Sequence, residues 1–228
     1  MRGKASRIVG LRGFVEDLLK SDAFEARMGE LVSHEPRRII NPLLSFLYSP
    51  DELIKWRTVT AVGYVVARMA DEEMEWARVV MRRLMWSLND ESGGIGWGAP
   101  EAMGEIMARH ERVAEEFSAI LISYIREDGN PLENGLLERG VLWGIGRLAQ
   151  KRPGMVQGAV THLAPYLASD DPIHRGLVAW VLSFVDATAV MNHLKPLLQD
   201  PAKVHIFEKG RVHDYRICDL AGRVLGKE

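Results

Sequence analysis

Trp56-Arg-Thr-Val-Thr-Ala-Val-Gly63, Trp97-Gly-Ala-Pro-Glu-Ala-Met-Gly104 and Arg139-Gly-Val-Leu-Trp-Gly-Ile-Gly146 align without a gap. Each sets a small residue (Ala61, Ala102, Gly144) two positions before a glycine, with an apolar residue between. The segments begin 41 and 42 residues apart, a spacing that points to a repeated structural unit. Glycine inside a helix costs about 1 kcal/mol relative to alanine. It is kept where two helix backbones approach closely, as Gly63, Gly104 and Gly146 would allow between neighbouring units. Two later stretches, Arg175-Gly-Leu-Val-Ala-Trp-Val-Leu182 and Arg216-Ile-Cys-Asp-Leu-Ala-Gly-Arg223, fit more loosely, the last with Gly226 as an alternative glycine.

Upstream of each segment lies a second apolar-periodic stretch: Arg38–Tyr48, Trp76–Leu88, Val113–Ile125, Met155–Leu167 and Val190–Leu198. Val79, Val80, Leu84 and Leu88 illustrate the spacing of three and four that puts one stripe on one helix face. Each stretch runs into a turn cluster: Ser49-Pro-Asp51, Asn89-Asp-Glu91, Asp128-Gly-Asn-Pro131, Ser169-Asp-Asp-Pro172 and Asp200-Pro201. Such clusters stop one helix and cap the next. The unit is therefore helix A, short turn, helix B, repeated five times. A helix pair cannot bury its apolar face alone, and stacking buries it. The expectation is an all-α superhelical solenoid in one domain over residues 1–228. Residues 1–35 form an N-terminal helical cap and 36–226 the five repeats.

With 228 residues, a net charge of −2, 47% hydrophobic and 26% charged residues, the composition is globular and excludes collagen-like and disordered chains. The single cysteine, Cys218, excludes an internal disulfide or a multi-cysteine metal cage. Near-neutral charge argues against general nucleic-acid or anionic-membrane binding. The basic tip Arg2, Lys4, Arg7 and Arg12 is followed too soon by Glu16 and Asp17 to be a secretory signal. No apolar run approaches the ~18 residues of a membrane span. The cytoplasm is the expected location.

The pattern Ser169-Asp-Asp-Pro-Ile-His-Arg175, with Leu177, Val178 and Val181 behind it, resembles the HEAT repeat in its short phycobilisome-lyase-like variety, over about residues 36–226. Asn89-Asp-Glu-Ser-Gly-Gly-Ile-Gly-Trp-Gly-Ala-Pro-Glu-Ala-Met-Gly-Glu-Ile106 resembles the signature of an uncharacterised bacterial HEAT-like family, a likeness that implies no reaction. The HEAT resemblance implies a right-handed α-α superhelix whose B helices line the concave surface. It also implies that turn aspartates and B-helix arginines stack as an internal ladder, with Asp171 and Arg175 one pair. Two connections are longer than their equivalents. Glu127–Leu136 is one. The other is Lys203–Asp214, where Val204, Ile206 and Val212 alternate around Glu208-Lys-Gly-Arg211 and predict a small β-hairpin. Insertions in repeat proteins gather on one face, often the binding face.

These features together predict a non-catalytic protein–protein interaction scaffold that presents its B-helix surface to another protein or peptide. Trp97, Glu101, Glu105, Arg139, Trp143 and Arg175 are the candidate binding residues, and no catalytic residue, metal or cofactor is expected. Tryptophan is a favoured binding anchor and arginine a bidentate one. Core packing competes for several of the tryptophans at 56, 76, 86, 97, 143 and 180. The glycine-rich turn Gly93-Gly-Ile-Gly-Trp-Gly98 follows a helix and lacks the lysine of a phosphate loop, leaving a tight turn or a binding surface beside Trp97. The alternative function is a groove-based enzyme. Glu101 and Glu105, one helical turn apart, would be its acid pair. Trp86, Asp90 and Arg126 faintly resemble the Trp, Asp and Arg of HEAT-like alkylated-base DNA glycosylases. HEAT-like di-iron hydroxylases carry His-Glu pairs at the start of B helices, whereas His34-Glu35 and His110-Glu111 fall elsewhere. Cys218 reads as a small buried hydrophobe.

Overall fold

The computed structural model describes residues 2–88 and 96–226. The chain forms two compact units, residues 1–113 and 114–228, each built of antiparallel helix pairs.

In the first unit α1 (Arg2–Lys20) and α2 (Phe24–Leu31) precede the first helix pair, α3 (Pro36–Ser45) and α4 (Glu52–Glu72). The second pair is α5 (Met74–Leu88) and α6 (Ala99–Arg109). Asp51 starts α4, its carboxylate accepting the Ile54 amide at 3.1 Å, as an N-cap should. Val59, Ala61, Val62, Val65 and Val66 then turn one stripe of α4 into the core against Ile39 and Leu43 of α3 and Val80 and Met81 of α5. The Arg57 guanidinium ties α1 to this pair by donating to the Leu19 carbonyl at 2.8 Å. Gly63 lies where a Cβ would overlap the Glu105 side chain, so the glycine brings α4 and α6 together as its place in the repeat predicts. Gly98 takes φ of +78° against Leu47, a backbone region that disfavours side chains, and Pro100 occupies the first turn of α6.

In the second unit α7 (Glu111–Ser123, its first turn belonging to the first unit) is followed by α8 (Gly135–Ala149), which Asn134 caps through the Leu136 and Leu137 amides. The next A element is not one helix. It runs as α9 (Pro153–Val156), a 3₁₀ turn, and α10 (Val160–Leu167) before α11 (Pro172–Leu182). The last A element is likewise broken, into 3₁₀ turns on either side of α12 (Met191–Leu194). Gly158, in the 3₁₀ turn between α9 and α10, and Pro196, in the last 3₁₀ segment, supply the reason, since each weakens an α-helical turn.

Strands β1 (Lys203–Glu208) and β2 (Arg211–Arg216) form the expected antiparallel hairpin, with Val204 opposite Tyr215 and Glu208 opposite Arg211. Its turn is Lys209-Gly210, both at positive φ, the conformation that suits a two-residue hairpin. α13 (Ile217–Leu225) follows directly. Each unit thus consists of helices packed in layers, the second carrying one small β-hairpin. Among the described residues no helix is long and apolar enough to cross a membrane.

Candidate functional site

The B-helix charges of the second unit form a ladder, offset from the expected one. Arg139 of α8 donates through Nε to Asp171 at 2.8 Å, while Asp171 also caps α11 by accepting the Ile173 amide. Arg175 of α11 in turn donates to Asp200 at 2.8 Å and to the Ser169 carbonyl at 2.7 Å. The expected Asp171–Arg175 pair is thus replaced by pairing with the acid of the following repeat. Burial opposes ionisation of both aspartates, yet the Arg139 bond and Ile173 amide hold the Asp171 carboxyl below its ordinary pKa. The Arg175 bond and Ala202 amide do the same for Asp200. Beside the first rung, His174 is buried, with Nδ1 3.2 Å from Ser169 Oγ and Nε2 without a hydrogen-bond partner among the described residues. Its nearest carboxylates are Asp171 at 3.5 Å and Glu138 at 3.9 Å. Burial first, and Glu138 second, push the Tyr166 hydroxyl in this cluster up to about 12.

Trp143 of α8 and Trp180 of α11 stack with ring centres 6.5 Å apart, and the hairpin covers them. The Trp143 indole donates to the Phe207 carbonyl at 2.9 Å. Glu208 collects three donors: Trp180 Nε1 at 3.3 Å, Gln150 Nε2 at 3.1 Å and the Tyr215 hydroxyl. Val204 fills the notch at Gly176, where a Cβ would come within 2.6 Å of it. Trp143 is 3% exposed and Trp180 2%. This part of the expected open surface is therefore already filled, because the inserted strands bring their own apolar residues to it.

In the first unit Glu101 and Glu105 are buried in α6, and each carboxylate has its own cation. Lys55 donates to Glu101 at 2.7 Å and Arg109 to Glu105 at 2.6 Å. Trp97 is 45% exposed. Two residues on, Ala99 lines a cleft of about 290 Å³ between α3 and α5. Leu44, Leu47 and Leu84 form its apolar floor, and Asn41, Tyr48 and Arg83 its rim, with Arg83 donating to Asn41 Oδ1. Neither the cleft nor the acceptor role of Glu208 is marked by a local motif, Glu208 standing in the sequence only as the start of the hairpin turn. The cleft residues are scattered over separate helices, and only the alternation of the hairpin, not its seat, is written locally.

Of the other candidates, Trp86 is 71% exposed on α5, while Asp90 and residues 93–95 of the glycine-rich turn lie outside the described residues. So do residues 89–95 of the Asn89–Ile106 signature and the side chains of Arg2, Lys4 and Arg7. Arg126 pairs with Asp128 at 2.7 Å. His110 lies 3.7 Å from Asp71, and among the described residues no cluster of three or more histidine, cysteine or acidic side chains could hold a metal. Cys218 is half-exposed beside Asp219 and not a buried hydrophobe, because it sits on the outer side of the first turn of α13.

No protein-family model matches the chain. An uncharacterised protein of Archaeoglobus fulgidus is 36% identical over 109 residues, covering 47% of this chain and 52% of that protein, so the match spans about half the length of each. Solved structures are similar at the level of fold. A designed armadillo repeat protein aligns with a TM-score of 0.58 and 14% identity over 96% of this chain and 92% of its own. Another, solved in complex with the peptide (KR)4, aligns at 0.54 and 13% identity over 95% and 98%. The chain has the fold of the armadillo-like α-solenoids.

Proposed function

We propose that this chain is a non-catalytic solenoid that holds a protein or peptide partner on its helix faces. One observation carries the reading. The charged candidates Glu101, Glu105, Arg139 and Arg175 are each matched inside the fold, while a cleft holding Leu44, Leu47 and Leu84 opens at exposed Tyr48 and at Ala99, two residues along the chain from exposed Trp97. Matched charges give a rigid frame, and a concave apolar floor with a few polar groups is what binding sites are made of. The designed armadillo protein solved with (KR)4 supports a peptide-binding use of such a fold.

In this proposal Trp97 is the contact residue and Trp143 belongs to the second unit's filled face. The repeats are of the short phycobilisome-lyase-like HEAT variety, acting as one domain in the cytoplasm. Nucleic acid, membrane and cofactor have no part in it. The test is a screen of the full chain against an immobilised peptide library, followed by titration of the peptides that bind. Trp97→Ala or Arg83→Ala should weaken those peptides about tenfold or more, a loss of about 1.4 kcal/mol, with helical content unchanged. An empty screen, or binding indifferent to both substitutions, would refute the proposal.

A further inference from the structure

The geometry points to the α8–α11 face as a reader of extended peptides, which the chain keeps filled with its own β1 strand. The inference rests on the peptide-binding reading above and gives it a second surface with a stated ligand chemistry: an apolar extended segment that ends in an acid.

The seat is built for a strand in three ways. Trp143 recognises main chain, because its indole N–H donates to the backbone carbonyl of Phe207. That contact is available to any extended segment. Gly176 leaves a notch for one branched side chain, filled by Val204. Gln150 and Trp180, from separate helices, converge on the Glu208 carboxylate, an acceptor with room for several donors. Val204 and Glu208 are four positions apart on β1, and side chains alternate across a strand, which places the notch residue and the acid on one side.

The occupant is argued from the strand that lies there. β1 is anchored to the helices, whereas β2 is exposed or half-exposed along its whole length. The turn Lys209-Gly210 is exposed. A partner segment of the same chemistry therefore competes with β1 for the seat. The segment most easily made is the chain's own Lys-Val-His-Ile-Phe-Glu.

The experiment uses that six-residue peptide, fluorescently labelled, with the full chain. Replacing Lys209 and Gly210 by valine strains two positive-φ positions and loosens the hairpin without altering the helices. The loosened chain should bind the peptide at least about tenfold more tightly than wild type. Adding Trp143→Phe should reverse the gain, and a peptide with Gln in place of Glu should bind more weakly. A loosened chain whose tryptophans become accessible to a quencher yet which binds no more tightly, or binds a scrambled peptide equally, overturns the inference.

Where the turn variant does not fold or keeps its hairpin seated, hydrogen exchange on wild type decides. Excess peptide should accelerate exchange of the Val204–Phe207 amides, and unchanged exchange overturns the inference. Library peptides that bind wild type and are indifferent to Trp143→Phe would leave the general reading standing while removing this surface. An empty library screen beside specific binding of the six-residue peptide would do the opposite.

Discussion

The α4–α6 contact and the α8–α11 contact use the same device with different fillers. At Gly63 the space of a missing side chain is taken by Glu105, and at Gly146 by the ring of Trp180. Glu105 can swing about its own bonds, with Arg109 following. Trp180 is held on all sides by Trp143, Phe184 and the hairpin. The repeat motif thus specifies close helix approach, while the residue that exploits it decides how rigid the contact is. In the first unit the contact ends in paired charges, and in the second it ends in a stacked aromatic floor.

Valine at these two glycines should separate the cases most strongly. Gly146→Val drives a side chain into an immobile indole and should cost about 3 kcal/mol or more, whereas Gly63→Val should cost about 1–2 kcal/mol because its neighbours can move. Urea denaturation of the two variants measures the difference, and equal losses would break the comparison. Next in size are the caps. Asp171→Ala removes a cap together with the Arg139 bridge and should cost about 2 kcal/mol. Asp51→Ala, which removes only a cap, should cost about 1 kcal/mol.

The ladder also predicts a pH dependence. Asp171 and Asp200 have lowered pKa values in the folded chain. The stability they contribute is complete above the ordinary aspartate pKa and is lost as pH falls through their lower folded values. Thermal unfolding between about pH 5 and pH 2 should show this loss, and Asp171→Asn with Asp200→Asn should flatten it. The smallest effects distinguish the tryptophans. Trp143→Phe removes one buried hydrogen bond and should cost about 1 kcal/mol. Trp97→Ala, on exposed surface, should stay within about 0.5 kcal/mol.

The B helices were legible because the pairing of a small residue with a glycine at fixed spacing is a local pattern that survives into contacts. The broken A elements were less so. Their apolar periodicity is real, but Gly158 and Pro196 override it. The ladder's existence was legible and its register was not. The HEAT resemblance implies Asp171 and Arg175 as partners, yet the Asp171 carboxylate is committed to the Ile173 amide and to Arg139. The hairpin was legible from alternation. Its seat was not, because Trp143 and Trp180 had to be known to share a face. The cleft beside Trp97 depends on α3 and α5 meeting side by side, which no local spacing records.

The offset of the ladder gives the array a polarity. In the second unit the arginines of α8 and α11 look forward to an acid that the next repeat supplies, Arg139 to Asp171 and Arg175 to Asp200, whereas Arg57 in the first unit reaches back to the Leu19 carbonyl. Arg216 departs from the rule and folds back on Asp219 within its own helix. A cut between repeats four and five would therefore strand the guanidinium of Arg175 at the new edge. A duplicated repeat four would find both its donor and its acceptor waiting. Lengthening this array should thus be easier than shortening it, a directional rule written in two ion pairs.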